Sequence, residues 1–249
     1  MPKPKSSQTT PTADLERLRA EYAAREQRLA GSDRYSLYSP GDLFIWQGRQ
    51  RALLALLRRW GYEPLSSYRI LEVGCGQGGV LHELLSYGAS PAQLFGCDLL
   101  LDRLQVARQR LPHLSLACAD GQSLPYPSCA FDLELQFTVF SSILDDRIRQ
   151  SIAAEMLRVL RPGGVIVWYD FWVNPLNPQT RGIRPQEVRQ LFPGCRYEFK
   201  RITLAPPLVR RLAPISWQFC LMLEKARILN THFLAAIHKP ADPILEQGQ

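Results

Sequence analysis

The chain has 249 residues, 46% of them apolar, with 30 Lys and Arg against 23 Asp and Glu for a formal charge of +7. That is an ordinary globular composition, long enough to bury a real core in one domain. No apolar run reaches the length of a membrane span and the opening MPKPKSSQTTPT lacks the core of a secretion signal, so a cytoplasmic protein with a polar tail over residues 1–12 is expected.

In chain order, Leu15, Leu18, Tyr22 and Leu29 recur at helical spacing and predict a first helix over 12–30, broken by GSDRYSLYSPGD. A second helix is predicted over 43–60, and the two make an N-terminal helical cap (13–62) ahead of a core over 63–240. RILEV reads as a buried strand, and Val80, Leu81, Leu84 and Leu85 mark a helix stopped by Gly88. LFGCD is a second strand, 101–110 a helix ended before Pro112, LSLACAD a third strand and FDLELQF a fourth. A long helix follows, with Ile148, Ile152, Met156 and Val159 on one face, closed by Pro162-Gly163-Gly164. VIVWYDF is a fifth strand. Strands alternating with helices of this length predict a parallel sheet flanked by helices. YEFKRITL and THFLAAIHKP read as two late strands that end the sheet antiparallel. Between them lies a proline-interrupted, apolar and basic insert over 205–228, and 241–249 is a tail.

The six cysteines include no C-x-x-C pair and no Cys/His cluster, so neither a metal site nor a disulfide framework is expected. Cys75, Cys97 and Cys118 read as buried thiols. Between Arg196 and Lys239 eight Lys or Arg stand against two acids. Nucleic acid, an anionic membrane surface, an acidic substrate or a plain solvated face each account for such an excess.

The densest motif is ILEVGCGQGG, Ile70 to Gly79. Gly74-x-Gly76-x-x-Gly79 taken alone is a weak dinucleotide fingerprint. Following a strand and opening a helix, the loop offers amides to a negative group. Asp98, at the end of the second strand, suits the hydroxyls of a ribose. A nicotinamide cofactor and S-adenosylmethionine both offer these groups. Glu72 suits an ammonium or its water shell better than a phosphate, and Asp120 in CADG can accept from an adenine amine. The LRPGG turn then leads to a strand pair rather than a second mononucleotide-binding half.

On ILEVGCGQGG, GCD, CADGQSLPYPSCAFDLELQFTVF and EMLRVLRPGGVIVWYDF, in order over about residues 68–172, the chain resembles the class I S-adenosylmethionine-dependent methyltransferases, in their small-molecule, type 11-like branch. The resemblance implies an α/β fold: a doubly wound, Rossmann-like seven-stranded sheet, mostly parallel with an antiparallel C-terminal strand. It implies S-adenosyl-L-methionine as cofactor, with S-adenosyl-L-homocysteine as product. It places Glu72, Gly74, Cys75, Gly76 and Gly78 around the methionine part, Asp98 on the ribose and Leu99 on the adenine. Asp120 with Gly121 would meet the adenine amine, and Gln136 and Phe137 would lie beside the sulfonium. Duller readings stand beside these: close helix packing for Gly78 and a helix cap for Asp98. Asp145 and Asp146 read as caps, and Asp132 as ordering the entry to its strand.

Methyl transfer by in-line displacement asks for alignment and exclusion of water, with a base for a hydroxyl or acidic carbon. Asp170 is the candidate base, with ordering of the following loop as its alternative, and His232 is the second candidate. His82 reads as a packing or surface residue and His113 as exposed. Trp172, Asn174, Arg210 and Arg211 are candidate acceptor contacts, with Trp168 as a further wall. The expected acceptor is a small molecule, anionic or lipid-like. QFTV after the fourth strand, in place of an Asn/Asp-Pro-Pro-aromatic motif, argues against DNA. RNA is the alternative, and a non-catalytic adenosyl-ligand-binding or NAD-dependent protein comes next. The insert reads as a lid, a contact with an anionic membrane or another subunit, or an ordinary packed helix with solvated arginines.

Overall fold

The computed structural model describes residues 16–17, 19–24, 27, 36–173 and 179–241. The expected tail over 1–12, most of that over 241–249, and Asn174 lie outside the described residues. Strands β1 (Ile70–Val73), β2 (Leu94–Asp98), β3 (Ser115–Cys118), β4 (Phe131–Phe137), β5 (Leu160–Phe171), β6 (Arg196–Leu204) and β7 (Asn230–His238) form one sheet. Their order is β3-β2-β1-β4-β5-β7-β6. β1 to β5 pair in parallel, and β7 runs antiparallel to both β5 and β6. This is the expected doubly wound sheet with its antiparallel ending.

Around it lie α1, helical at 16–17, 19–24 and 27, and α2 (Pro40–Arg59), α3 (Gly79–Ser86), α4 (Leu101–Arg110), α5 (Asp146–Val159), α6 (Pro185–Leu191), α7 (Pro206–Leu212) and α8 (Trp217–Ala226). All four residues of β1 are buried, as a central parallel strand covered on both faces requires. One face packs Leu133, Leu135 and Val167 against α2 and α3, and the other packs Leu71, Ile166 and Trp168 against α5 and α6. No helix among the described residues is long and apolar enough to cross a membrane.

Several expectations change. α6 has no counterpart among the predicted elements; it is a seven-residue helix with Pro185 in its first turn, and it carries the chain from β5 to β6. β5 starts at Leu160 and takes in Pro162-Gly163-Gly164, which the sequence pattern assigns to a helix stop. Cys75 and Cys97 are buried but Cys118 is exposed, because β3 is an edge strand. Asp145 does cap α5, accepting from Arg147 N at 2.8 Å. Asp132 accepts from Arg69 N at 2.6 Å, ahead of β1.

The insert forms two short helices that pack on α2 rather than over the strand ends. Phe44, Leu204, Val209, Ala213 and Cys220 make a small core of their own. Arg210 donates through Nε (3.0 Å) and Nη2 (2.7 Å) to Asp42 Oδ1 on α2. Gly41 allows the approach: a Cβ there would stand 2.6 Å from the Arg210 Cα. Arg210 is thereby a fastener between insert and cap, not an acceptor contact. Arg211 is exposed on α7.

Candidate active site

The strand order reverses between β1 and β4, and in open α/β sheets the crevice at such a point takes the ligand. A cavity of about 710 Å³ fills it. Its lining comes from Gly74–Gln77 after β1, Asp98–Leu100 at the end of β2, Ala119–Gln122 after β3 and Phe137–Val139 after β4. Thus Glu72, Gly74, Cys75, Gly76, Asp98, Leu99, Asp120, Gly121 and Phe137 converge as the motifs imply.

Two of the expected set do not. Gly78 is absent from the lining; it precedes α3 with φ +79°, and a Cβ there would meet Leu111 at 2.7 Å, so its role is close packing on α4. Gln136 is fully buried and pairs in register with Trp168, on the face of β4 opposite to Phe137. Successive strand residues face opposite sides, so only Phe137 reaches the cavity.

The loop is held tightly. Gly74 N and Cys75 N donate to Cys97 O at 2.8 and 2.9 Å. Asp98 Oδ2 accepts from Gly76 N at 2.7 Å and its Oδ1 from Leu100 N at 2.9 Å. Asp98 therefore braces the glycine loop while lining the cavity. Asp120 Oδ1 accepts from Gln122 N at 2.9 Å and shapes the third loop.

Four cavity residues carry no signal in the sequence motifs: Tyr22 from α1, Arg49 from α2, and Arg103 and Arg110 from α4. The Arg103 guanidinium lies so close over Gly76 that a Cβ there would come within 2.7 Å of it. The Tyr22 ring stacks on this guanidinium at 4.4 Å, and Arg17 Nη2 donates to Ser142 O at 2.6 Å. α1 thus spans the cavity from the turn after β4 to α4. Arg49 pairs with Glu83, which also accepts from Trp46 Nε1 at 2.8 Å.

Glu72 is 3% exposed, and its Oε2 has no hydrogen-bond partner within the protein. Burial pushes its carboxyl up to about 8, with the Arg49 guanidinium opposing and Glu83 and Asp98 adding to the rise. A cationic ligand group beside that oxygen favours the ionised form, so binding releases a proton. Affinity for S-adenosylhomocysteine, read by calorimetry, is therefore expected to rise with pH up to about 8. Glu72→Gln should flatten that profile and weaken binding by about 1.5–3 kcal/mol, the range for a hydrogen bond to a charged group. In the ligand-free protein Glu72 holds more protons folded than unfolded between 4.5 and about 8, so stability falls as pH rises across that window.

The candidate base and acceptor contacts lie elsewhere. Asp170 is fully buried and does not line the cavity. Its Oδ2 accepts from Ser141 N at 3.0 Å and its Oδ1 from Phe171 N at 2.9 Å, and burial pushes the carboxyl up to about 7. It holds the turn after the neighbouring strand β4, not the loop that follows Asp170 itself. Asp170→Asn puts an amide NH₂ against one of those N–H groups and is expected to cost about 1–3 kcal/mol of stability. Turnover per folded molecule should fall by less than the ~10²-fold minimum for a lost base; a larger fall with the fold intact would return Asp170 to the chemistry. His232 stacks on Tyr169 (5.0 Å between ring centroids) and bonds Thr231 Oγ1 at 3.0 Å, outside the cavity lining. Burial pushes it down to about 4, so the imidazole is neutral at pH 7. Trp172 Nε1 donates to Asn230 O at 3.0 Å and its ring packs under Arg201, away from the cavity. His82 and His113 are both exposed. Among the described residues no group of three or more His, Cys, Asp or Glu could hold a metal ion.

A cavity lined by the buried acids Glu72 and Asp98, by arginines and by a glycine loop suits a zwitterionic ligand. Residues 70–164 match a family model described as a methyltransferase domain. A fatty-acid O-methyltransferase of Mycolicibacterium smegmatis is 39% identical over 104 residues, 41% of this chain and 36% of the relative. A mouse tRNA N(3)-cytidine methyltransferase is 31% identical over 115 residues, 43% of this chain and 29% of the relative. The chain thus spans about a third of these relatives. Among solved structures, the Burkholderia thailandensis 1,6-didemethyltoxoflavin-N1-methyltransferase superposes with a TM-score of 0.62 at 15% identity, covering 96% of this chain and 93% of that one. Residues 70–164 thus form a methyltransferase domain of the class I, S-adenosylmethionine-dependent type. Its cofactor is S-adenosyl-L-methionine, and the unpartnered Glu72 oxygen, the glycine cradle and Asp98 fit that group.

Proposed function

We propose that this protein methylates a small, partly apolar acceptor bound beside the cofactor in the 710 Å³ cavity. The observation that carries the reading is the make-up of that cavity. The polar residues for the cofactor share it with apolar walls, Phe137, Val139 and Ile143, under α1. Gly74, Gly76 and Glu72 would hold the methionine part, Asp98 the ribose, Leu99 the adenine face and Asp120 its amine. When bound, the sulfonium supplies an electrophilic methyl group. The chain's own part is then to align the acceptor and exclude water, with α1 closing the open side. Neither Asp170 nor His232 reaches the cavity, so the reading assigns no base.

Relatives described as acting on a fatty acid and on the alkaloid ajmaline support a small acceptor. The tRNA-modifying relatives, whose similarity covers 43% of this chain, make RNA the second reading. The deciding experiment supplies methyl-labelled S-adenosylmethionine with fatty acids, phenols, alkaloid-type amines and tRNA. Label in a small organic acceptor is expected. Label in tRNA alone would overturn the reading, and so would binding of NAD in place of S-adenosylhomocysteine.

A further inference from the structure

Away from the cavity, α8 and the turn before β7 carry a surface that methyl transfer does not use. Phe219 and Met222 lie three residues apart on α8, with Ile215 ahead of the helix and four residues before Phe219, and all three are exposed. Ile228 and Leu229 add two more exposed apolar side chains; Ile215 is 81% and Ile228 77% exposed. The turn is firmly built. Arg201 Nη2 donates to Ile228 O (3.2 Å) and Asn230 O (2.9 Å), and the 1%-exposed Asn230 donates to Glu224 O at 3.0 Å. Ile228 and Leu229 are thus set in a turn fixed by its own hydrogen bonds.

Beside them opens a second cleft, of about 260 Å³, between α2, β6 and α8. Arg51, Lys200, Arg201, Lys225 and Arg227 line it against a single acid, Glu224. Of these, Lys225 stands three residues after Met222 on α8 and Arg227 directly precedes Ile228. Between Lys200 and Leu223 the sequence has no acid at all.

We propose that this face docks peripherally on an anionic lipid bilayer, the five apolar side chains entering the boundary between headgroups and acyl chains and the basic cleft taking lipid phosphates. The charge pattern selects the partner. A second copy of the same face would set like charges against each other, which association disfavours. Single-stranded RNA is held by rows of stacking aromatics, and here the exposed apolar residues are aliphatic or thioether apart from Phe219. An apolar stripe edged by Lys and Arg is the pattern of a helix lying in the interface plane. α8 has ten residues, so it rests on the bilayer and does not cross it. The inference goes beyond the methyl-transfer reading and is read without turnover.

The test is co-sedimentation of the full chain with vesicles of phosphatidylcholine alone or with 30% phosphatidylserine, about 0.1 M salt being used so that charge attraction is screened beyond ~10 Å. Binding is expected on the anionic vesicles only, weakening as salt rises. Each cation near such a surface is worth about fivefold in the binding constant, so Lys225→Gln with Arg227→Gln should weaken binding by roughly 25-fold. Phe219→Ser with Met222→Ser should abolish it. Both pairs are exposed, and an unchanged melting temperature and unchanged S-adenosylhomocysteine affinity show that the fold is intact. A wild-type protein that stays in the supernatant overturns the proposal, as does equal binding by both double variants. Tighter binding to a 20-nucleotide RNA than to vesicles, or a dimer dispersed by Phe219→Ser with Met222→Ser, also overturns it. Loss of S-adenosylhomocysteine binding by the wild type would instead strike the functional reading.

Discussion

Gly74→Ala is expected to weaken cofactor binding at least tenfold and to destabilise the fold. Gly74 sits at φ +77°, where a side chain costs about 1–2 kcal/mol. A Cβ there would also run into Val139 Cγ2, across the mouth of the cavity, at a separation no real contact shows. Overpacking of that kind adds about 1–3 kcal/mol, so a total loss of roughly 2–5 kcal/mol of stability should appear in denaturant melts. Because the loop and Val139 both line the cavity, S-adenosylhomocysteine affinity should drop by at least tenfold, about 1.4 kcal/mol. Adding Val139→Ala makes room for the methyl and should recover the packing part but not the backbone part. Wild-type stability and affinity in Gly74→Ala would mean that the loop opens away from Val139 and that the cavity has a different shape.

The second large effect is expected at Asp98. Asp98→Ala removes the acceptor for Gly76 N and for Leu100 N, two donors in buried bonds. Each donor left unpaired costs about 1–3 kcal/mol. The ribose contact proposed for Asp98 would go with it, so calorimetry should show S-adenosylhomocysteine binding weakened by about 1.5–3 kcal/mol or more. Asp98→Asn, which keeps one acceptor oxygen, should fall between wild type and Ala. A variant that loses stability while its affinity stays unchanged would make Asp98 a brace of the loop and nothing else.

The parts of the site legible in the sequence are those where one short segment carries the whole device. Ile70–Gly79 shows a buried strand, a glycine turn and a helix start within ten residues, and Asp98 and Asp120 end recognisable strands. Local pattern suffices there because backbone direction fixes where those residues point. Tyr22 and Arg49 belong to segments with no motif, and only the packing of the cap brings them to the cavity. Arg210 reads as an acceptor contact in the sequence because its partner, Asp42, lies 168 positions away. Gln136 and Asp170 are a different case. Strand alternation places Gln136 opposite Phe137 and Asp170 on the side of Trp168, and that period of two is written in FDLELQF and VIVWYDF themselves. α6 escapes because seven residues with a proline at the start give too short a pattern to stand out.

The clasp between α2 and the insert bears on how the chain comes to be folded. Asp42 and Phe44 leave the ribosome early, whereas Arg210 and Trp217, which they meet, are made more than 160 residues later. At ordinary synthesis rates that is a wait of roughly ten to thirty seconds. During it β1 to β5 emerge, while β6 and β7, on which α2 packs, and the groups that will seat against Asp42 and Phe44 are still to be made. Contacts this distant in sequence are slow to form, so seating the insert on α2 should be the late step of folding. Trp217, edge-on to Phe44 at 5.0 Å, stands at that junction, and its fluorescence reports the moment it closes.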